Sequence, residues 1–353
     1  MFERAQSILL VKLSSIGDVV HSLPVLAAAR HRYPQAHIAW AVGPAAADLV
    51  AGSPHLNETL VVGATHGEET AVRAVPSLSS PWRLRKALRE RKFDLALDMQ
   101  GLLKTALIAY LSGARDRIGF RNLQEGAFLF NNRRIVPDRR DCHAVEGYLG
   151  FARAIGAPAE PLDFTIHVSE ADRRAVDALL SGQRNLIALV PGARWQSKRW
   201  PPERFAQVAD ALAGEFGATC LVVGARGDAA LAEQIQGVAE SAVLDLCGRT
   251  TLKQLAEVLR RCRLAIANDT GPMHISAAVG TPTVAIFGPT DPTRLAPYGR
   301  GHAVVKAASP CAPCRRRDCR PLRCMEAITG EQVVGAAERI IRPLTPGVRD
   351  GLR

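Results

Sequence analysis

Short apolar runs recur along the chain, at residues 8–13, 38–42, 95–98, 187–190, 220–223, 243–246, 264–267 and 283–287. Most are followed by Gly or Pro and then by a stretch with apolar residues at helical spacing. Strand, turn and helix in that repeated order predict parallel α/β sheets. The alternation runs twice. The first set ends near Pro161 and the second begins near Asn185, with the Pro-rich segment 157–162 and a helix-like piece at 170–180 between them. The predicted organisation is a first Rossmann-like domain over 1–165, a linker over 166–184 and a second such domain over 185–328. Thr329 and Gln332 fit a capping box that opens a final helix over 329–342. That helix is expected to reach back onto the first domain, and residues 343–353 read as a frayed tail.

The chain has 353 residues, enough for two domains. A hydrophobic content of 47% with 22% charged residues suits a globular protein. No apolar run approaches the roughly 20 residues of a membrane span, and the N-terminus lacks the pattern of an export signal. The expectation is a cytoplasmic protein, in which eight cysteines are not a disulfide framework. Lys and Arg exceed Asp and Glu by 45 − 34 = 11. That excess favours an acidic partner without choosing among nucleic acid, an anionic membrane and a phosphorylated substrate.

Ligands of open α/β sheets bind at the carboxyl ends of the strands. The first run leads straight into residues 14–18, ending in Asp18. An acid there either caps the following helix or faces the ligand crevice as a general base. Lys12, inside a buried strand, calls for a partner. In the second half, Lys198 and Arg199 follow the first strand, as phosphate contacts or as an exposed basic loop. Asp228 closes another strand end, where an acid accepts from ribose hydroxyls or simply makes a turn. The strongest pattern is the strand 264–268 running into Asp269, Thr270, Gly271, Pro272 and His274. The Thr270 and Gly271 amides then stand at a helix N-terminus, a natural diphosphate site. No G-x-G-x-x-G fingerprint is present, which argues against a dinucleotide cofactor.

Cys311, Cys314, Cys319 and Cys324 crowd into one short loop with five interleaved arginines. They read as a structural zinc or iron site, or as a reduced cysteine loop. The stretch 83–92 carries six cations and one anion, as a solvated face or as a surface for anionic lipid.

Taken together, KLSSIGD at 12–18 with VVHSLP after it, DMQG at 98–101, HAVE at 143–146, KRWP at 198–201, NDTGPMH at 268–274 and FGPTDP at 287–292 resemble the ADP-heptose:lipopolysaccharide heptosyltransferases of glycosyltransferase family 9, most of all heptosyltransferase I. The resemblance spans about residues 7–305. It implies a GT-B fold, two Rossmann-like domains facing across a cleft, and an inverting transfer without a catalytic metal. It implies Asp18 as base, with Lys198, Asp228, Asp269, Thr270, Gly271 and His274 on ADP-heptose. Asp228 stands where the family has an acidic residue on the ribose, one carbon shorter than Glu. On the acceptor side it implies Ser15, Gly17, Lys104 and the basic residues Arg83, Arg85, Lys86 and Arg89. The implied partners are ADP-heptose, a Kdo–lipid A acceptor and the cytoplasmic face of an anionic inner membrane, and not nucleic acid. Gly147 stands where heptosyltransferase I tends to carry Arg. Heptosyltransferase II, or a relative with another acceptor, is the alternative within the family, and a nucleic-acid-binding zinc ribbon is the alternative outside it.

Overall fold

The computed structural model describes residues 5–63, 72–121, 125–136 and 142–342. The chain divides into two compact units, Met1–His167 and Val168–Arg353. The predicted tail 343–353 lies outside the described residues.

The first unit is built on β1 (Ser7–Val11), β2 (His37–Val42), β3 (Glu58–Val62), β4 (Val72–Val75), β5 (Leu95–Asp98), β6 (Asp116–Phe120) and β7 (Arg133–Ile135). They pair in parallel in the order β4-β3-β2-β1-β5-β6-β7. β1 is buried at every position, as a central parallel strand covered on both faces must be. The chain leaves β1 toward β2 on one side and returns to its other side as β5, so a crevice opens between the carboxyl ends of β1 and β5.

The second unit holds β8 (Leu186–Val190), β9 (Thr219–Val222), β10 (Val243–Asp245), β11 (Leu264–Asn268), β12 (Thr283–Phe287) and β13 (Ala303–Lys306). Their order is β10-β9-β8-β11-β12-β13, again all parallel. The corresponding switch point lies between β8 and β11. Trp200 and Phe205, both buried and crossed edge to face at 5.0 Å, anchor its core with Met325, Val333 and Ile341.

Two further helices pack within the second unit. Helix Glu170–Leu180, within the predicted linker, packs on helix Leu252–Arg261 of the second unit, where Arg261 pairs with Asp177 and Glu257. Its apolar face is too short to be recognised as core without its partner helix in view. The final helix, Gly330–Ile341, buries Val333, Ala336, Ala337 and Ile341 in the core of the second unit, against helix Pro202–Phe216. It therefore covers the sheet of its own unit. Its Thr329–Gln332 capping box is present as expected.

Gly43 brings the end of β2 against the loop after β1. Its amide donates to the Leu13 carbonyl at 3.1 Å, and a Cβ there would sit 2.6 Å from that oxygen. Backbone cannot swing aside as a side chain can. Gly43→Ala is expected to destabilise the protein by about 1–3 kcal/mol, read by urea unfolding; an unchanged midpoint would contradict this packing.

Candidate functional site

In the first unit, Lys12 follows β1 and is 3% exposed. The next residues are held from β5: Gln100 Oε1 accepts from the amides of Leu13 at 2.8 Å and Ser14 at 3.2 Å. Asp98, fully buried, ties that corner together by accepting from the amides of Gln100 and Gly101 and from Asn131 Nδ2 at 3.0 Å. Burial pushes its carboxyl above the usual range against those hydrogen bonds.

Asp18 lies in the first turn of helix Ile16–Arg32. Its Oδ2 accepts from the Ser15 hydroxyl at 2.9 Å and the Ser15 amide at 3.2 Å. Its Oδ1 accepts from the Tyr148 hydroxyl at 2.9 Å, with Lys12 Nζ at 3.9 Å. Lys12 also lies 5.0 Å from the centre of the Tyr148 ring. Burial alone would raise this carboxyl. Lys12, the nearby His21 and the bonds from Ser15 and Tyr148 outweigh burial and hold it well below the usual carboxylate range. The side chain is 38% exposed. Asp18 therefore completes the capping box opened by Ser15 and presents a fixed negative charge at the switch point.

Ser15 is exposed and Gly17 buried within the same turn. Lys104 is exposed near the start of helix Leu103–Leu111, which follows β5. Arg83, Lys86 and Arg89 are exposed and Arg85 half-buried on helix Pro81–Arg89. The neighbouring Arg91 is held by Glu58 through two bonds of 2.6 Å, so it braces the fold.

The second unit places the other group. Lys198 closes the short 3₁₀ turn Gln196–Lys198 after β8, and Asp269 directly follows β11. Lys198 Nζ donates to Asp269 Oδ2 at 2.6 Å, and the Thr290 hydroxyl donates to the same oxygen at 2.7 Å. Lys198 is 14% and Asp269 5% exposed, so the pair is largely dehydrated. The Lys198 ammonium stands 4.5 Å from the centre of the Trp195 ring. With three N–H donors, it retains capacity for a second anion.

Beside this pair, Thr270 is the N-cap of helix Gly271–Ala278, whose first amides have no partner within the helix. His274 is buried in that helix. Asp228 Oδ2 accepts from the Ala225 amide at 2.9 Å, and Arg199 lies 4.0 Å from its other oxygen. A Cβ at Gly192 or Gly224 would come within 2.5 or 2.9 Å of the Asp228 side chain. Those two glycines leave the room that lets the carboxylate stand across the ends of β8 and β9. A charged lysine, a helix N-terminus and an acid near the strand ends make a receptor for a diphosphate carrying hydroxylated sugars.

The model of glycosyltransferase family 9 (heptosyltransferase) matches residues 81–324, more than half of the chain. The chain belongs to glycosyltransferase family 9. This glycosyltransferase is 31% identical over 320 residues to the lipopolysaccharide heptosyltransferase 1 of Pseudomonas aeruginosa, covering 88% of its own length and 87% of the relative. It is 28% identical over 313 residues to the lipopolysaccharide heptosyltransferase 2 of Salmonella typhimurium, covering 85% and 87%. The solved structure of the ADP-heptose lipopolysaccharide heptosyltransferase II of Escherichia coli matches with a TM-score of 0.76 at 25% identity, over 95% of this chain and 98% of that one. The fold is GT-B, as the sequence implies.

Within this glycosyltransferase the expected donor residues gather around β8, β9 and β11 in the second unit, and Asp18, Ser15 and Gly17 share one turn of the first. Sequence reasoning did not reach Tyr148, and it quoted Gln100 and Thr290 within motifs without giving either a role. Tyr148 looks like one more apolar position on its helix, and Thr290 like turn filler between Pro289 and Asp291. Among the described residues, no group of three His, Cys, Asp or Glu side chains is placed to hold a metal ion, the four loop cysteines included. Cys311 is exposed and Cys324 buried, its thiol pushed up by burial and by the nearness of Cys311 and Cys314.

Because the Asp18 carboxyl is depressed in the folded state, its stabilising contribution is present above the unfolded value of about 3.9 and is lost as pH falls below it. Carboxyl-carbon NMR of labelled protein is expected to show Asp18 still ionised at that pH. A titration midpoint at or above it would show that Lys12 and Tyr148 do not hold the charge.

Proposed function

We propose that the enzyme transfers L-glycero-D-manno-heptose from ADP-heptose, with inversion, to Kdo in the inner core of lipopolysaccharide, as heptosyltransferase I does. The observation that carries this reading is the dehydrated Lys198–Asp269–Thr290 cluster beside the N-terminus of helix Gly271–Ala278. In this reading Lys198 and the Thr270 and Gly271 amides stabilise the charge that grows on the departing diphosphate, with His274 on the same side. Asp228 accepts from the ribose, and the remaining lone pairs of Asp269 accept from heptose hydroxyls.

Asp18 is the base. A carboxylate held so firmly ionised is a weak base, so it takes the acceptor proton late, once C–O bond formation has made the hydroxyl acidic. Ser15, Gly17 and Lys104 line the acceptor side. Relatives of type 1 and type 2 match at similar identity. The second acceptor reading is therefore a core that already carries one heptose.

The first unit also carries a surface that suits the membrane bearing such an acceptor. Trp82 is 75% exposed, with the Arg85 guanidinium 5.3 Å from its ring centre. Helix Pro81–Arg89 packs on helix Leu103–Leu111, which carries exposed Tyr110 and in turn packs against the turn Ala127–Leu129, with Leu129 73% exposed. Exposed rings and aliphatics among arginines suit an anionic headgroup layer. Among the described residues no helix is long and apolar enough to cross a membrane. We therefore propose attachment to the cytoplasmic face of the inner membrane through this surface. Four soft thiols in the 311–324 loop match zinc or iron by donor chemistry, although among the described residues no three of them are placed to hold a metal ion. A structural metal there is a further part of this proposal, and no step of transfer passes through it.

Four measurements check these points. Mass spectrometry of ADP-heptose with Kdo₂-lipid A is expected to show one added heptose. Asp18→Asn is expected to lose about 10²- to 10⁴-fold in rate at unchanged ADP affinity; turnover within a few-fold of wild type would place the base elsewhere, and product only on an already heptosylated core would favour the second acceptor. Binding to phosphatidylglycerol vesicles is expected to fall in Arg85→Glu/Lys86→Glu/Arg89→Glu and to weaken with salt; an unchanged profile would remove the membrane surface. Elemental analysis is expected to find about one zinc or iron per chain, and less than about 0.2 would reject the metal.

A further inference from the structure

The four-cysteine loop has a place in the fold that its cysteines do not explain. Its far end is fixed in the core: Cys324 and Met325 are buried, against Gly288 at the end of β12. From there the loop grips the short turn that carries Lys198. Ser197, 1% exposed, donates through its hydroxyl to the Arg316 carbonyl at 2.7 Å. Arg320 donates to Gln196 Oε1 at 3.3 Å. The Arg317 guanidinium lies 5.2 Å from the centre of the Trp195 ring, the same ring that Lys198 stands on. On its other side, the Arg315 amide donates to the Pro289 carbonyl at 2.8 Å, next to Thr290. The loop thus touches the segments that supply both donors to Asp269 Oδ2.

A turn of three residues with no side-chain cap has little stiffness of its own, and a lysine side chain has four rotatable bonds. Something outside the turn must fix where the ammonium points. We propose that residues 311–324 form a wall of the sugar-nucleotide site that aims Lys198, with Ser197 and Arg317 as positioning residues acting through it. This rests on the reading of the Lys198–Asp269 cluster as the diphosphate site. The Arg316 carbonyl sets the height of the turn through Ser197. Arg317 shares the Trp195 ring with Lys198, which holds the ring in place and adds positive potential beside the ammonium.

The test uses the full chain and ADP as the probe. Ser197→Ala and Arg317→Ala are each expected to weaken ADP about fivefold to tenfold by calorimetry and to raise the donor KM alike. The acceptor KM is expected to stay at its wild-type value, and Arg317→Lys is expected to recover most of the loss. The deciding readout is the double-mutant cycle: Ser197→Ala/Lys198→Ala should bind ADP no more weakly than Lys198→Ala alone, because positioning is void once its target is gone. Additive losses would mean that Ser197 acts independently of Lys198 and would overturn the inference. So would unchanged ADP affinity in Ser197→Ala and Arg317→Ala while Lys198→Ala weakens it, an outcome that leaves the diphosphate site standing. If Lys198→Ala itself binds ADP as tightly as wild type, the reading of the diphosphate site fails, and the inference with it.

Discussion

The ion pair between Lys198 and Asp269 is the constraint on which the second unit's chemistry rests. Dehydrating both partners is costly, and a buried pair persists only with good geometry and further bonds. The structure supplies them: Thr290 adds a donor to the shared oxygen, and the Trp195 face takes the ammonium. The pair exists because β8 and β11 are neighbours whose chain connections run in opposite directions, which leaves the turn after one strand free to meet the residue after the other. A smaller version stands in the first unit, where Lys12 and Asp18 follow β1 beside the end of β5. There the partner lysine is buried just past the strand end, and Tyr148 supplies the second bond.

The two carboxylates differ in a way that matches different tasks. Asp269 is 5% exposed, with one oxygen engaged by both a cation and a hydroxyl, which suits a fixed wall of a binding site. Asp18 keeps 38% of its side chain exposed while four neighbours favour its charge, so it stays ionised and reachable at once. A carboxylate in that state trades basicity for constancy. In the proposed role of base, it would assist only a proton that has already become acidic, which suits concerted displacement at an anomeric carbon.

Much of this was readable along the chain because the key residues follow apolar runs. Asp269 directly follows a strand, and Asp18, Lys198 and Asp228 lie in the loop or first turn after one, positions that the strand-turn-helix rhythm locates without any knowledge of pairing. What the rhythm lacks is long range. Tyr148 reaches Asp18 from 130 residues away and Gln100 reaches Leu13 from 87 away. Both look ordinary in their own segments. Helix Glu170–Leu180 has a clear helical pattern, yet its neighbour on Leu252–Arg261 decides which unit owns it. The cysteine spacing is equally plain in the sequence. Only packing reveals that the loop's backbone, rather than its thiols, meets the turn that carries Lys198.

Hydrogen exchange of the full chain with and without ADP tests the central claim most directly, because it reports where the nucleotide sits without relying on any variant. The account predicts slower exchange on ADP binding at the amides of Thr270, Gly271 and Met273 and across Gln196–Lys198. Protection confined to residues 14–20, with none at these positions, would contradict it.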